Sequence, residues 1–145
     1  MEILDIEILL VEDNPNDAEL TIRALKKNNL VNKVVHLKDG AEALDFIFCE
    51  GAYQGEKRSI HPRVILLDLK MPKVNGIEVL KRLKSDPSTK HIPVVVLTSS
   101  NENPDVATCY ALGVNSYIVK PVGFDNFTRA VAQLGFYWML LNQPL

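Results

Sequence analysis

Acidic, hydroxyl and amino side chains follow several short apolar runs of the sequence, and they could share one chemical site. Glu12 and Asp13 follow one apolar run, and Asp68, Thr98 and Lys120 each follow another. In a doubly wound parallel sheet, ligands bind beyond the carboxyl ends of the strands, near the point where the strand order reverses. We therefore expect these side chains to meet at one edge of such a sheet, with the three carboxylates close together.

This set of side chains suits a metal ion and a phosphoryl group. Neighbouring carboxylates repel one another and need a cation. Oxygen ligands with little cysteine or histidine around them favour a hard ion, Mg²⁺ before Ca²⁺. Lys120 can pair with a carboxylate or a phosphoryl oxygen, and Thr98 offers a hydroxyl donor. Because a carboxylate can carry a phosphoryl group as an acyl phosphate, the residues favour a metal-dependent phosphoryl acceptor.

The elements that position these residues follow from the alternation of apolar runs with segments of helical periodicity. The apolar runs predict strands over residues 7–11, 33–37, 64–67, 94–97 and 116–119. The periodic segments predict a helix capped by Asn14 with Pro15 first, a second capped by Asp39, and others over residues 76–84, 104–112 and 124–141. Continuously apolar strands indicate a sheet that is covered on both faces. The sequence thus predicts an α/β fold, a doubly wound five-stranded parallel sheet of order 2-1-3-4-5 flanked by five helices, as in flavodoxin-like proteins.

Composition excludes several classes of protein. The 145 residues suit one domain, 1–145, and the 16 basic and 18 acidic residues form no basic block that would bind nucleic acid. The two cysteines, Cys49 and Cys109, are expected to be free thiols. The amino terminus does not resemble a signal peptide, and no apolar run approaches the roughly 20 residues that span a bilayer. We therefore expect a cytoplasmic protein with no membrane partner.

Four stretches resemble the signature sequences of bacterial response-regulator receiver domains, in the right order and over nearly the whole chain. They are Val11-Glu12-Asp13-Asn14, Leu67-Asp68-Leu69-Lys70-Met71-Pro72 with Gly76, Leu97-Thr98-Ser99-Ser100, and Tyr117-Ile118-Val119-Lys120-Pro121. A set of motifs in order is far more specific than any one of them. The resemblance implies a two-component phosphorelay protein that accepts a phosphoryl group from a sensor histidine kinase.

The resemblance also implies a role for each matching acidic residue. Asp68 would be the phosphoacceptor. Glu12 and Asp13 would be the acidic pair around Mg²⁺, with Asp13 the direct ligand, and the backbone carbonyl of Lys70 would complete the protein's metal ligands. The chain would catalyse its own phosphorylation and dephosphorylation without being a turnover enzyme.

The remaining matching residues would form the switch. Thr98 would be the switch hydroxyl, Tyr117 the switch aromatic and Lys120 the phosphoryl-binding lysine, whose bond to Pro121 is commonly cis in the family. Phosphorylation would then change a protein-interaction face formed by the fourth helix, the fifth strand and the fifth helix. The chain ends soon after its last predicted helix, so we expect output through protein contacts or phosphate relay, without an output domain.

Two departures from the family pattern resemble the cyanobacterial-phytochrome type of response regulator. Residues 50–63 lengthen one connection, and we expect a solvated surface loop there. Residues 136–141 are six consecutive apolar residues, which cover every side of a helix and should leave an exposed apolar patch. We therefore expect a homodimer through the C-terminal helix, with docking of a phytochrome-like kinase, or burial by residues 142–145, as alternatives.

Three other function classes fit less well. A haloacid-dehalogenase phosphatase would carry its nucleophile after the first strand and a second aspartate two positions later, where this chain has Lys70. A flavin carrier on the same fold would have a phosphate-binding loop after the first strand, where Glu12 and Asp13 would repel a phosphate. A degenerate receiver that acts as a scaffold is not favoured, because all the expected site residues are present.

Overall fold

A computed structural model describes residues 2–4, 8–27, 33–56, 58–60, 62–71, 74–99 and 105–132. The predicted strands and helices all have counterparts along these ranges, and two further strands, Glu2–Leu4 and Arg58–Ile60, were not predicted. The strands are β1 (Glu2–Leu4), β2 (Ile8–Val11), β3 (Val34–Leu37), β4 (Arg58–Ile60), β5 (Val64–Asp68), β6 (Val94–Thr98) and β7 (Ser116–Val119). The α-helices are α1 (Pro15–Lys26), α2 (Gly40–Phe48), α3 (Gly76–Ser85), α4 (Asp105–Ala111) and α5 (Phe124–Ala132).

Five strands form one parallel sheet in the order β3-β2-β5-β6-β7, which is 2-1-3-4-5 when these strands are counted alone. Every residue of β2, β5 and β6 is buried, whereas the edge strands β3 and β7 are buried only in part. The predicted fold class and strand order are confirmed.

Each face of the sheet is covered by a separate apolar cluster. One cluster joins Leu9 and Leu67 to side chains of α2, α3 and α4, such as Phe46, Leu80 and Cys109. The other joins sheet residues to α1 and α5, and its members include Leu10, Leu66, Leu25 and Phe127. Successive side chains of a strand point to opposite faces of the sheet. Because both faces are covered, the strands need apolar residues at successive positions.

Two helices begin at the caps that the sequence predicts. The side chain of Asn14 accepts hydrogen bonds from the amides of Asn16 and Asp17, at 2.9 and 3.0 Å. Asp39 accepts one from the amide of Glu42 at 2.8 Å. Each cap satisfies amides that the first helical turn leaves without partners.

Several boundaries differ from the prediction by one or two residues. Asp68 and Thr98 are the last residues of β5 and β6 rather than the first residues after them. The fourth helix ends at Ala111, where an end at residue 112 was expected, and the predicted first residue, Pro104, lies outside the described residues. The fifth helix is described as far as Ala132, and the predicted continuation over residues 133–141 lies outside the described residues.

The expectation of a surface loop over residues 50–63 is wrong in part. A 3₁₀ turn covers Gly51–Tyr53, and Arg58–Ile60 forms β4, which pairs in parallel with β1 in a separate two-stranded sheet. The partner strand comes from the amino terminus, so no local pattern within residues 50–63 indicates this pairing.

The start of this connection is anchored to α3. Arg82 donates to both carboxylate oxygens of Glu50, at 2.9 and 2.6 Å, and its guanidinium group lies 4.2 Å from the centre of the Phe48 ring. The hydrogen bond from Arg82 holds the pKa of Glu50 below its usual value. A bidentate pair fixes orientation better than a single contact does, so the connection leaves α2 in a defined direction.

Candidate functional site

The candidate site is built at the carboxyl edge of the sheet, where β2, β5, β6 and β7 end. Val11 pairs with Leu67, so Glu12 and Asp68 follow at the same level on neighbouring strands. Asp68 in turn pairs with Leu97, which precedes Thr98. The amide of Lys120 donates to the carbonyl of Thr98 at 2.7 Å, which brings the end of β7 to the same edge.

Three carboxylates meet at this edge. Oxygens of Glu12, Asp13 and Asp68 all lie within 4.8 Å of one another. Glu12 and Asp68 are buried, with 0% and 4% of their surfaces exposed, whereas Asp13 is exposed. The cluster therefore has a buried floor and an open side from which a ligand can enter.

Lys120 lies among the carboxylates. Its ammonium nitrogen is 3.1 Å from Glu12 Oε1, 3.2 Å from Asp17 Oδ2 and 3.5 Å from Asp68 Oδ2. The peptide bond between Lys120 and Pro121 is cis, as the family resemblance implies. One ammonium group thus faces several negative charges.

Backbone groups hold the two buried carboxylates in place. The amide of Asn14 donates to Glu12 Oε2 at 3.3 Å, and the amide of Lys70 donates to Asp68 Oδ1 at the same distance. The Nε2 atom of His36 lies 2.8 Å from the carbonyl oxygen of Glu12. A carbonyl can only accept, so His36 donates this bond.

The charges of the cluster perturb one another. Burial first, and then the hydrogen bond and the charge of Glu12, raise the pKa of Asp68 from 3.8 to about 7, against the opposing effects of Lys120 and the Lys70 amide. Burial alone would lower the pKa of Lys120, but the hydrogen bond to Glu12 and the charges of Asp68 and Glu12 raise it above its usual value. Asp68 therefore retains its proton more readily than an isolated aspartate does.

These residues fit a hard divalent cation. Glu12, Asp13 and Asp68 offer oxygen ligands on one open cavity, which is the donor set that Mg²⁺ and Mn²⁺ accept. Burial, and then the hydrogen bond and charge of Glu12, raise the pKa of Asp68 in spite of the nearby ammonium group of Lys120. A cation bound there would relieve the remaining repulsion.

The structure brings most of the predicted site residues together. A cavity of about 250 Å³ is lined by Asp13, Asp68, Lys70, Thr98 and Lys120, among others. Glu12 does not line this cavity, but a carboxylate oxygen of Glu12 lies within 4.8 Å of oxygens of Asp13 and Asp68, which do.

Tyr117 lies apart from this cavity. Its half-buried ring packs edge-on against the ring of Tyr110 of α4, with ring centres 6.2 Å apart. Tyr117 also lines a second cavity, together with Arg129 of α5. The side chain expected to act as the switch aromatic is thus placed between α4 and α5 rather than at the acidic cluster.

Two residues near the cluster were missed by the sequence analysis. Asp17 lies in the first turn of α1, three residues after the predicted Asn14 cap, and this position could have placed it near the same edge. His36 lies on β3 beside β2, but a single histidine on an edge strand carries no distinctive pattern. The contacts that Asp17 and His36 make near the cluster depend on how α1 and β3 pack beside β2.

The pKa of Asp68 predicts that the affinity for Mg²⁺ depends on pH. A proton on Asp68 competes with the cation, so the dissociation constant should fall about tenfold for each unit of pH up to about 7 and then level off. Titration calorimetry from about pH 5.5 to 8.5 would measure this. The slope should be lost in Asp68→Asn, and an affinity for wild-type protein that does not change over this range would contradict the prediction.

The fold and the site define a class of protein, and a family model identifies it. Residues 8–132 match the response regulator receiver domain. The chain therefore belongs to the response regulator receiver domain family of two-component signalling systems, whose members interact with histidine kinases. Among the described residues, no helix is long and apolar enough to cross a membrane.

Two known proteins are similar to this chain over most of its length. The probable methanogenesis regulatory protein FilR2 of Methanothrix harundinacea is 41% identical over 136 residues, which cover 94% of this chain and 85% of the relative. Response regulator Rcp1 of Synechocystis is 39% identical over 132 residues, covering 91% of this chain and 88% of the relative.

Two solved structures are also similar. The bacteriophytochrome response regulator RtBRR has a TM-score of 0.84 at 50% identity, covering 98% of this chain and 85% of that chain. The Mn²⁺-bound form of Rcp1 has a TM-score of 0.74 at 37% identity, covering 97% of this chain and 100% of that chain. The resemblance to phytochrome response regulators is thus confirmed.

Proposed function

We propose that this response regulator accepts a phosphoryl group on Asp68 with Mg²⁺ held by Glu12, Asp13, Asp68 and the carbonyl of Lys70. The observation that carries the proposal is the position of Asp68. Its carboxylate is buried at the end of β5, within 4.8 Å of the other two carboxylates, and 3.5 Å from the Lys120 ammonium nitrogen. A nucleophilic carboxylate beside a cation site and a fixed positive charge suits phosphoryl transfer.

The chemistry can be written with the chain's own residues. A carboxylate oxygen of Asp68 forms a bond to phosphorus while the bond from phosphorus to the histidine nitrogen of the kinase breaks, and the leaving imidazole takes up a proton. Lys120 neutralises negative charge on the transferred group. When bound, the divalent cation supplies further positive charge against the phosphoryl oxygens. Hydrolysis of the acyl phosphate at the same residues would return the protein to its first state.

We further propose that Thr98 and Tyr117 form the switch. Thr98 is buried at the end of β6, and its carbonyl accepts the amide of Lys120 at 2.7 Å, so the two residues are joined through the backbone. A phosphoryl group on Asp68 would draw in the Thr98 hydroxyl and the Lys120 ammonium group. Movement of Thr98 at the end of β6 would let Tyr117 leave its contact with Tyr110 and turn inward. This would change the surface formed by α4, β7 and α5.

The proposed chemistry is tested on the wild-type protein. Incubation with acetyl phosphate and Mg²⁺ should add one phosphoryl group, and reduction of the acyl phosphate with borohydride followed by peptide mapping should place it on Asp68. Chelation of the metal with EDTA should abolish labelling. Label that persists in EDTA, or that maps to another residue, would overturn the proposal.

The relatives suggest a source for the phosphoryl group. RtBRR and Rcp1 are response regulators, the former of a bacteriophytochrome by its name, and they cover most of this chain. We infer that the cognate kinase is a phytochrome-like sensor histidine kinase, and that the receiver acts through protein contacts rather than by binding DNA.

We also infer that the protein forms a homodimer through residues 136–141, which lie outside the described residues. Six consecutive apolar residues would cover every side of a helix, which favours burial against a second copy of the chain. Sedimentation at high micromolar concentration should give a dimer for the intact chain and a monomer for a chain cut after residue 134. A chain cut after residue 141 keeps the segment and should remain dimeric. If the intact chain is monomeric with and without phosphorylation, this inference is wrong.

A further inference from the structure

Lys120 has a bonding partner that the proposed chemistry does not require. Its ammonium nitrogen lies 3.2 Å from Asp17 Oδ2, nearly as close as its 3.1 Å contact with Glu12. Asp17 belongs to the first turn of α1 and lines the same cavity as Asp68 and Lys120. The unphosphorylated site thus holds Lys120 between a carboxylate of the sheet edge and a carboxylate of a helix.

The two bonds differ in how easily they can be broken. The side chain of Glu12 is 0% exposed, so removing its cation would leave a buried charge without a partner. The side chain of Asp17 is 39% exposed, so water can replace the ammonium group at little cost. If Lys120 is to bind a new anion in the cavity, Asp17 is the partner that it can release.

We propose that Asp17 is a positioning residue that holds Lys120 in the unphosphorylated state, and that Lys120 exchanges Asp17 for a phosphoryl oxygen when Asp68 is modified. This inference rests on the proposed phosphorylation of Asp68. Asp17 acts through Lys120 and sets how readily the site accepts a phosphoryl group. An ammonium group that contacts Asp17 as well as Glu12 and Asp68 is a weaker partner for a phosphoryl oxygen, so Asp17 opposes the modified state.

A simpler role for Asp17 predicts different results. An acidic residue in the first turn of a helix interacts favourably with the helix dipole, whatever lies beyond it. Asp125 is a matched control, because it is exposed and lies in the first turn of α5. If Asp17 only stabilises its helix, Asp17→Asn and Asp125→Asn should both change the melting temperature slightly and leave ligand binding unchanged.

The test measures binding of fluoroberyllate with Mg²⁺, a noncovalent analogue of a phosphoryl group on a carboxylate. Asp17→Asn should bind fluoroberyllate roughly two- to fivefold more tightly than wild-type protein, as expected for release of a partly exposed ion pair. Asp125→Asn should bind like wild-type protein. Unchanged or weaker binding by Asp17→Asn would overturn the inference.

A double-mutant cycle tests whether the effect passes through Lys120. In a Lys120→Met background, the substitution Asp17→Asn should have no further effect on the affinity. An effect of the same size in both backgrounds would show that Asp17 acts by its own charge, and the proposed exchange would be wrong.

A crystal structure of the wild-type protein with fluoroberyllate gives an independent result that does not depend on any variant. The Lys120 nitrogen should lie more than about 4 Å from Asp17, beyond ion-pair distance. If the 3.2 Å contact persists in that complex, the exchange does not occur. Failure of wild-type protein to bind fluoroberyllate or to be phosphorylated would instead contradict the proposed function.

Discussion

Asp68→Asn is expected to form no acyl phosphate with acetyl phosphate and Mg²⁺, because the amide is not a nucleophile for this reaction. The loss should be complete, whereas Asp13→Asn should retain the acceptor and show weaker Mg²⁺ binding. Asp125→Asn, an exposed substitution in α5 outside the cluster, should label like wild-type protein. Intact mass measured at fixed times provides the comparison. Hydroxylamine-sensitive label on Asp68→Asn would show that another residue is the nucleophile.

The same variant should be more stable than wild-type protein without metal. The pKa of Asp68 is raised from 3.8 to about 7, so the folded protein favours the protonated form, and this contribution to stability is lost as the pH rises through about 7. Above that pH, Asp68→Asn should gain roughly 1–4 kcal/mol in the free energy of unfolding, and the gain should become small near pH 4. Mg²⁺ should reduce the difference by stabilising wild-type protein more than the variant. Urea denaturation above about pH 7 and near pH 4 would measure this difference in the free energy of unfolding.

The main sheet was predictable because its strands interact through side chains that the sequence displays directly. Strand β2 is apolar throughout, β5 and β6 are apolar up to their last residues, and these are the strands that are buried on both faces. The two edge strands carry less regular patterns, and they are the ones that are only partly buried. Strands that are buried on both faces can therefore be recognised from their continuously apolar sequence.

The pairing of β1 with β4 could not be predicted in this way. Each strand has three residues, and the two are separated by more than 50 positions in the chain. Three residues are too few to show a periodicity, and the pairing depends on backbone groups that every sequence possesses. Such a contact becomes visible only when the rest of the fold brings both segments together.

The acidic site also has residues that the sequence predicts and a residue that it does not. Glu12 and Asp68 were predictable because strand ends in a parallel sheet share one edge, whatever the lengths of the helices between them. Asp17 was not singled out, because acidic residues are common in the first turn of helices. Its contact with Lys120 depends on the packing of α1 beside the sheet and α5, which periodicity alone does not determine.

Gly76→Ala is expected to destabilise the fold strongly. Gly76 begins α3, and its amide donates to the carbonyl of Leu69 at 3.0 Å. A β-carbon at this position would overlap the carbonyl oxygen of Asp68 and lie 2.7 Å from the α-carbon of Leu69. These neighbours are backbone atoms, which cannot rotate away as a side chain can, so α3 or the segment after β5 must move. The free energy of unfolding should fall by about 1–3 kcal/mol or more.

The movement should also disturb the site, because the backbone that Gly76 contacts carries Asp68 and precedes Lys70. Gly76→Ala should therefore bind Mg²⁺ more weakly at a temperature where circular dichroism shows that it is folded. Gly123→Ala is the matched control, because a β-carbon at this position would lie 3.8 Å from Asn126 Oδ1, which is an ordinary contact. This substitution should leave both stability and affinity nearly unchanged. Equal stability and equal affinity for Gly76→Ala and wild-type protein would mean that the close approach of α3 to the acceptor segment does not constrain the site.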